Sequence, residues 1–192
     1  MDELWLNEQV KSLGLEEVME LREIPNIDLY MDQLITLFED KLKHTKRSED
    51  DKLLTKTMIN NYTKDKVLMP AVKKKYTKEH IILMLLLYQL KNIVSIGDIK
   101  NLFSVVKNGD NVEGDKLAKL YQSYLNSKDK EIGYFNLGVE RRIDTLHEEM
   151  AKVGIDDEEL ETVLLVLILI EQASYHKRLA EKIIDEKIKK KK

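Results

Sequence analysis

Eight lysines and a single aspartate stand between Lys52 and Lys78 of a 192-residue chain whose formal net charge is −3. Interleaved with them are the short polar side chains Thr55, Thr57, Asn60 and Asn61, and the stretch closes on Lys73-Lys74-Lys75-Tyr76-Thr77-Lys78. An ammonium group pairs with a phosphate oxygen, and a side-chain amide can bond adenine N6 and N7 in a bidentate way. Polyanion binding with contact to base edges is the chemistry these residue types would perform. The charge is segregated along the chain. Residues 1–50 carry 13 acidic and 6 basic side chains, residues 51–107 carry 4 and 11, and residues 108–192 carry 18 and 15. A basic centre in an acidic chain is an electrostatic footprint for a polyanion; the plain alternative is a solvated lysine-rich face.

Other chemistries find less support. The chain has no cysteine, which excludes a disulfide scaffold, a thiol nucleophile and thiolate metal sites. His44, His147 and His176 are isolated in sequence, and His147-Glu148-Glu149-Met150-Ala151 starts like a zinc-protease helix without the second histidine. No enzyme, cofactor or metal is expected. His80 reads as a packed or capping imidazole, with a phosphate contact at a helix start as its functional alternative. Trp5 and Tyr30 read as core or rim residues. The longest apolar runs, Ile81–Tyr88 and Val163–Ile170, are eight residues each, against about 18–20 for a bilayer span. With an acidic opening and no leader pattern, a cytoplasmic protein without a membrane partner is expected.

Seven glycines and two prolines in a chain rich in Lys, Glu, Leu and Ile imply an all-α fold, with at most a small β wing. Two short helices are predicted in residues 3–22, interrupted at Gly14, and Pro25 marks a break. Asp28 is the predicted N-cap of a helix whose apolar face runs from Leu29 to Leu42. Thr55 caps a short helix that reaches Lys64, with Met58, Ile59 and Tyr62 facing inward. Residues 67–76 read as an extended loop or small hairpin. Thr77 opens a helix, apolar nearly all round, with a near capping box. Ser95 caps the next, through Ile96, Ile99, Leu102 and Phe103. Asn108-Gly109-Asp110-Asn111 is a turn and the best candidate boundary. Beyond it the pattern predicts a helix over 115–126, a loop at 127–131, a helix over 137–153 ended by Gly154, and a final helix from Asp156 to the closing lysines.

The order of elements over 28–104 resembles the winged helix-turn-helix domain of the MerR regulator family. That family's recognition helix ends near T-I-R-Y-Y-E, and G-L-L-x-P, R-x-Y-x-x-x-D and G-F-S-L-x-E-I follow. The matching residues are Met58-Ile59-Asn60-Asn61-Tyr62-Thr63, Val67-Leu68-Met69-Pro70, Lys74 to His80, and Val94 to Ile99. Asn60 stands where the pattern has arginine. The strings I-D-L-Y-M-D-Q, L-T-K-T-M-I-N-N-Y-T-K, K-K-Y-T-K-E-H and S-I-x-D-I-K are similar to the signature of a bacterial family, domain of unknown function 1836, itself considered MerR-like. The resemblance implies residues 1–27 as an N-terminal helical extension, 28–107 as a MerR-like winged helix-turn-helix domain and 112–192 as a C-terminal helical region for dimerisation or effector binding. It implies a transcriptional regulator that binds double-stranded DNA. Thr55, Lys56, Thr57, Asn60, Asn61 and Lys64 would lie in the major groove; Lys73, Lys74, Lys75 and Lys78 would meet phosphates. Tyr76 would brace the wing or reach sugar and phosphate.

Burial of Asn60 and Asn61 would contradict groove reading. Val163–Ile170 is apolar on every face, so it lies in the monomer's core or is covered by a second subunit. A homodimer through the C-terminal helix suits a palindromic site. The rival reading is a helical protein–protein adaptor that reuses the fold without binding DNA.

Overall fold

In a computed structural model, residues 3–109 and 111–189 are described. Met1, Asp2, Asp110 of the predicted turn and Lys190–Lys192 of the closing lysine run lie outside them. The described residues form seven α-helices and two two-stranded antiparallel sheets. The helices are α1 (Glu3–Ser12), α2 (Met31–Leu42), α3 (Lys56–Lys64), α4 (Lys78–Leu90), α5 (Ile96–Ser104), α6 (Gly114–Lys152) and α7 (Glu158–Ile183). Strand β1 (Leu29–Tyr30) pairs with β2 (Lys75–Tyr76), and β3 (Lys107–Asn108) pairs with β4 (Asn111–Val112). The mostly helical fold with small β elements agrees with the composition. No described helix is long and apolar enough to cross a membrane.

The chain divides into two compact units. The larger comprises Glu17–Asn126 and the chain end from Glu181. Its core is built on α4, where Ile81, Ile82, Leu83, Met84 and Leu87 are at most 2% exposed; a helix apolar all round belongs at a centre. Phe38 and Leu34 of α2, Ile59 of α3, Ile99 of α5 and Leu117 of α6 pack into the same core, which Ile184 joins from a π-helical turn over Ile184–Ile188. Two predicted caps form as read: the Thr55 hydroxyl accepts from the Met58 N–H at 3.1 Å, and the Ser95 hydroxyl accepts from the Asp98 N–H at 3.1 Å. The Asp98 carboxylate in turn accepts from Ser95 Oγ at 2.7 Å and from Lys189 Nζ at 2.7 Å. These bonds, the lysine's first, hold its pKa below the usual carboxylate range. The smaller unit comprises the chain up to Glu16 and Ser127–Ala180. Its core is Leu6, Val139, Ile143, Leu146, Met150 and Leu165.

The structure corrects several boundaries. Residues 15–28 hold turns, bends and irregular backbone in place of a second helix. Met19 and Ile24 are buried there, and the Met19 carbonyl accepts the Tyr121 hydroxyl at 2.7 Å, so tertiary contacts replace helical ones. Helix α2 begins at Met31, not after Asp28, because Leu29 and Tyr30 are drawn into β1 and the Tyr30 N–H bonds Gln33 Oε1 at 2.9 Å. The loop expected at 127–131 is absent: α6 runs unbroken over 39 residues. Its polar stretch contains no proline, and Gly133 and Gly138 are tolerated inside the helix. The final helix begins two residues late, where Asp157 Oδ1 accepts from the Glu159 and Leu160 N–H groups at 2.9 and 3.0 Å. Within Val163–Ile170 one side enters the smaller unit's core, with Leu165 buried and Leu164, Ile168 and Leu169 half-buried against it, while Val163, Val166, Leu167 and Ile170 are exposed.

Candidate nucleic-acid interface

Helix α3 has two faces set by its sequence. At about 100° per residue, Lys56, Thr57, Asn60, Asn61 and Lys64 fall within an arc of about 140°, and all five are exposed. The opposite side carries Ile59 and Tyr62, both buried, with Met58 half-buried at its edge. Thr55 is half-buried and committed to the cap. The Lys56 ammonium lies 2.7 Å from Asp32 Oδ1 of α2, an exposed pair of little intrinsic strength.

The chain leaves α3 through a Schellman turn: the Lys66 N–H bonds the Thr63 carbonyl at 3.0 Å and the Val67 N–H bonds the Tyr62 carbonyl at 2.9 Å. That motif places its middle residue in the left-handed region, where glycine is usual; here it is Lys66, at φ 60°. The chain then enters a hairpin whose ends are Val72 and Lys75. Their N–H and carbonyl groups exchange bonds of 3.0 and 2.9 Å around a two-residue turn, Lys73-Lys74. Both turn residues are left-handed, at φ 51° and 65°. A two-residue turn of this hand is normally Asn-Gly, since each L side chain there crowds its own backbone. Lys66, Lys73 and Lys74 are the non-glycine residues with positive φ among those described, and all three side chains are exposed.

The hairpin is fixed at its base. Register Leu29↔Tyr76 and Tyr30↔Lys75 ties its returning strand to β1. His80 joins both ends: Nδ1 accepts the Thr77 N–H at 3.1 Å, which leaves the proton on Nε2 to donate to the Pro70 carbonyl at 3.3 Å. The Tyr76 ring meets the imidazole edge-on at 5.4 Å. Burial holds His80 below the ordinary imidazole pKa and pushes the Tyr76 hydroxyl up. Tyr76 is 6% exposed and packed at the base of the hairpin, which leaves its ring little surface for the sugar or phosphate contact that was one of its expected roles. Lys75 is half-buried with its ammonium 5.2 Å from the centre of the Tyr30 ring, and Lys78 is half-buried in the first turn of α4.

The structure thus keeps Lys56, Thr57, Asn60, Asn61 and Lys64 on one exposed helix face, and Lys73 and Lys74 at an exposed hairpin tip. It brings in Lys66, which the sequence analysis did not single out and which occupies the turn between the two; His80, expected as a packed or capping imidazole, is both, and it anchors the hairpin. A lysine four places before Pro70 carries no sign of its backbone angle, so only coordinates reveal Lys66; for His80 the helical spacing from Thr77 was the available signal. Among the described residues no group of three or more His, Asp or Glu side chains could hold a metal ion.

No curated protein and no solved structure matches the chain. Residues 19–124 match the family described as a domain of unknown function (DUF1836). The matched stretch falls inside the continuous part of the larger compact unit, Glu17–Asn126, and includes α3, the hairpin and its anchors. It covers more than half of the sequence, and the chain belongs to that family.

Proposed function

We propose that this protein is a transcriptional regulator that binds duplex DNA through a MerR-like winged helix-turn-helix, with α3 as the recognition helix and the 67–76 hairpin as the wing. The observation that carries this reading is the placement of lysine where the backbone favours glycine. Two adjacent left-handed positions at the hairpin tip and one at the turn after α3 are occupied by Lys73, Lys74 and Lys66. Strain retained in exposed residues points to what those side chains meet outside the molecule. The neighbouring face of α3 suits base edges: Asn60 and Asn61 are exposed, as groove reading requires.

The functional unit in this reading is a homodimer formed through α7. Leu160, Val163, Leu167 and Ile170 recur at 3-4-3 spacing and are 51, 55, 57 and 62% exposed. That is the seam by which helices pair, and a two-fold dimer reads a palindrome. The same stripe is what favours the second reading, a protein–protein adaptor. Fluorescence anisotropy with duplex from the gene's own upstream region, against scrambled duplex, separates the two. Selective binding supports the regulator; absence of binding to any duplex at low salt removes it and leaves the adaptor.

A further inference from the structure

Beside the exposed face of α3 lies a cleft of about 590 Å³, bounded by the end of α3, residues 68–70, α5 and the β3–β4 hairpin. Lys64, Lys66, Lys100 and Lys107 line it, and no acidic side chain does among the described residues. Lys107 already serves the fold, because its ammonium donates to the Lys66 and Val67 carbonyls at 3.3 and 3.1 Å and so closes the end of α3. Lys64, Lys66 and Lys100 take no part in the ion pairs formed among the described residues. The floor is apolar, with Leu68 2% exposed and Met69 and Pro70 beside it.

Three ammonium groups that pair with no carboxylate among the described residues gather with a fourth around a ligand-sized hollow, and their summed positive potential favours an anion there. Inorganic ions would satisfy the charge and leave the apolar floor unused. We infer that this cleft binds a small organic phosphate, one bearing two or more negative charges and a flat apolar group. The phosphates would lie among Lys64, Lys66 and Lys100, and the apolar group on Met69 and Pro70. This site goes beyond the DNA reading and does not depend on it. Where that reading also holds, an occupied cleft draws Lys64 and Lys66 away from the duplex and weakens DNA binding.

The test is isothermal titration of the full chain, without DNA, using ATP as the probe. Adenosine and tripolyphosphate at matched ionic strength are the comparisons. The expected result is one ATP per chain, at least tenfold weaker in Lys100→Gln, unchanged in Lys73→Asn/Lys74→Gly, weaker for tripolyphosphate and undetectable for adenosine. Lys100 is exposed on α5, and circular dichroism of Lys100→Gln checks that the fold persists. Absence of ATP binding overturns the proposal. So does an affinity that falls equally in the hairpin variant, which would mark diffuse charge attraction, or tripolyphosphate binding as tight as ATP. Because duplex is absent, failure here is distinct from failure of the DNA reading.

Discussion

Replacing Lys73-Lys74 by Asn-Gly should stabilise the protein and weaken its hold on DNA. The turn has φ 51° and 65° at its two residues, flanked by the paired Val72 and Lys75. A left-handed residue with a Cβ costs about 1–2 kcal/mol. Glycine removes that cost at position 74 but gives up roughly 0.5–1 kcal/mol of backbone entropy on folding, and asparagine tolerates the same region better than lysine. The net gain is about 1 kcal/mol, or about 2–4 °C in the thermal midpoint of a chain of this length. In DNA binding the sign is opposite. Each phosphate contact contributes about 0.9 to the slope of log affinity against log salt, so losing two should shrink the slope by about 1.8. Calorimetry gives the first quantity and anisotropy across a salt series gives the second. A lower midpoint would refute the strain at the turn. An unchanged slope would refute phosphate contact by the hairpin tip.

Three further outcomes follow from the same geometry. His80 is held below its ordinary pKa by burial, so the unfolded chain takes up the proton first; stability should be full above about pH 6.5 and fall as pH drops from there towards the folded pKa. Urea denaturation between pH 7.5 and 5 should show that loss, and His80→Gln should flatten it; an unchanged pH profile in the variant would assign the loss to other groups. Ile59, fully buried beneath the exposed face of α3, should cost about 2–5 kcal/mol when cut to alanine, read as a lower urea midpoint; a loss below half of the lower figure would mean that α3 is not packed as described. Leu167→Glu should convert the dimer to monomer in sedimentation equilibrium without lowering helicity, and a wild-type chain that is already monomeric would mean that the α7 seam is not a dimer interface.

Local signals carried much of the fold into the sequence. Thr55 and Ser95 were legible as caps because a hydroxyl before an apolar-periodic run has one favourable use, satisfying the second or third free N–H of a helix. The α4 core was legible from an apolar run without a polar face. One failure was decided at long range. Leu29 and Tyr30 continue a helical apolar pattern, yet pairing with the sequence-distant Tyr76 and Lys75 makes them a strand. The polar run at 127–131 resembles a loop in composition, but nothing in it breaks a helix, and α6 continues through it. For the site, residue types identified the exposed face of α3. A lysine does not announce a left-handed backbone as a glycine does, so the strain at Lys66, Lys73 and Lys74 emerged only with the structure, as did the apolar stripe left open on α7.

Contact of α3 and the hairpin with duplex DNA is the point on which the regulator reading rests. Amide chemical-shift mapping of the labelled full chain, with a duplex selected by anisotropy, locates that contact residue by residue. Shifts concentrated at Lys56, Thr57, Asn60, Asn61, Lys64, Lys66, Lys73 and Lys74, with α7 unaffected, are the expected result. Shifts confined to α7, or none in α3 at saturating duplex, would contradict it.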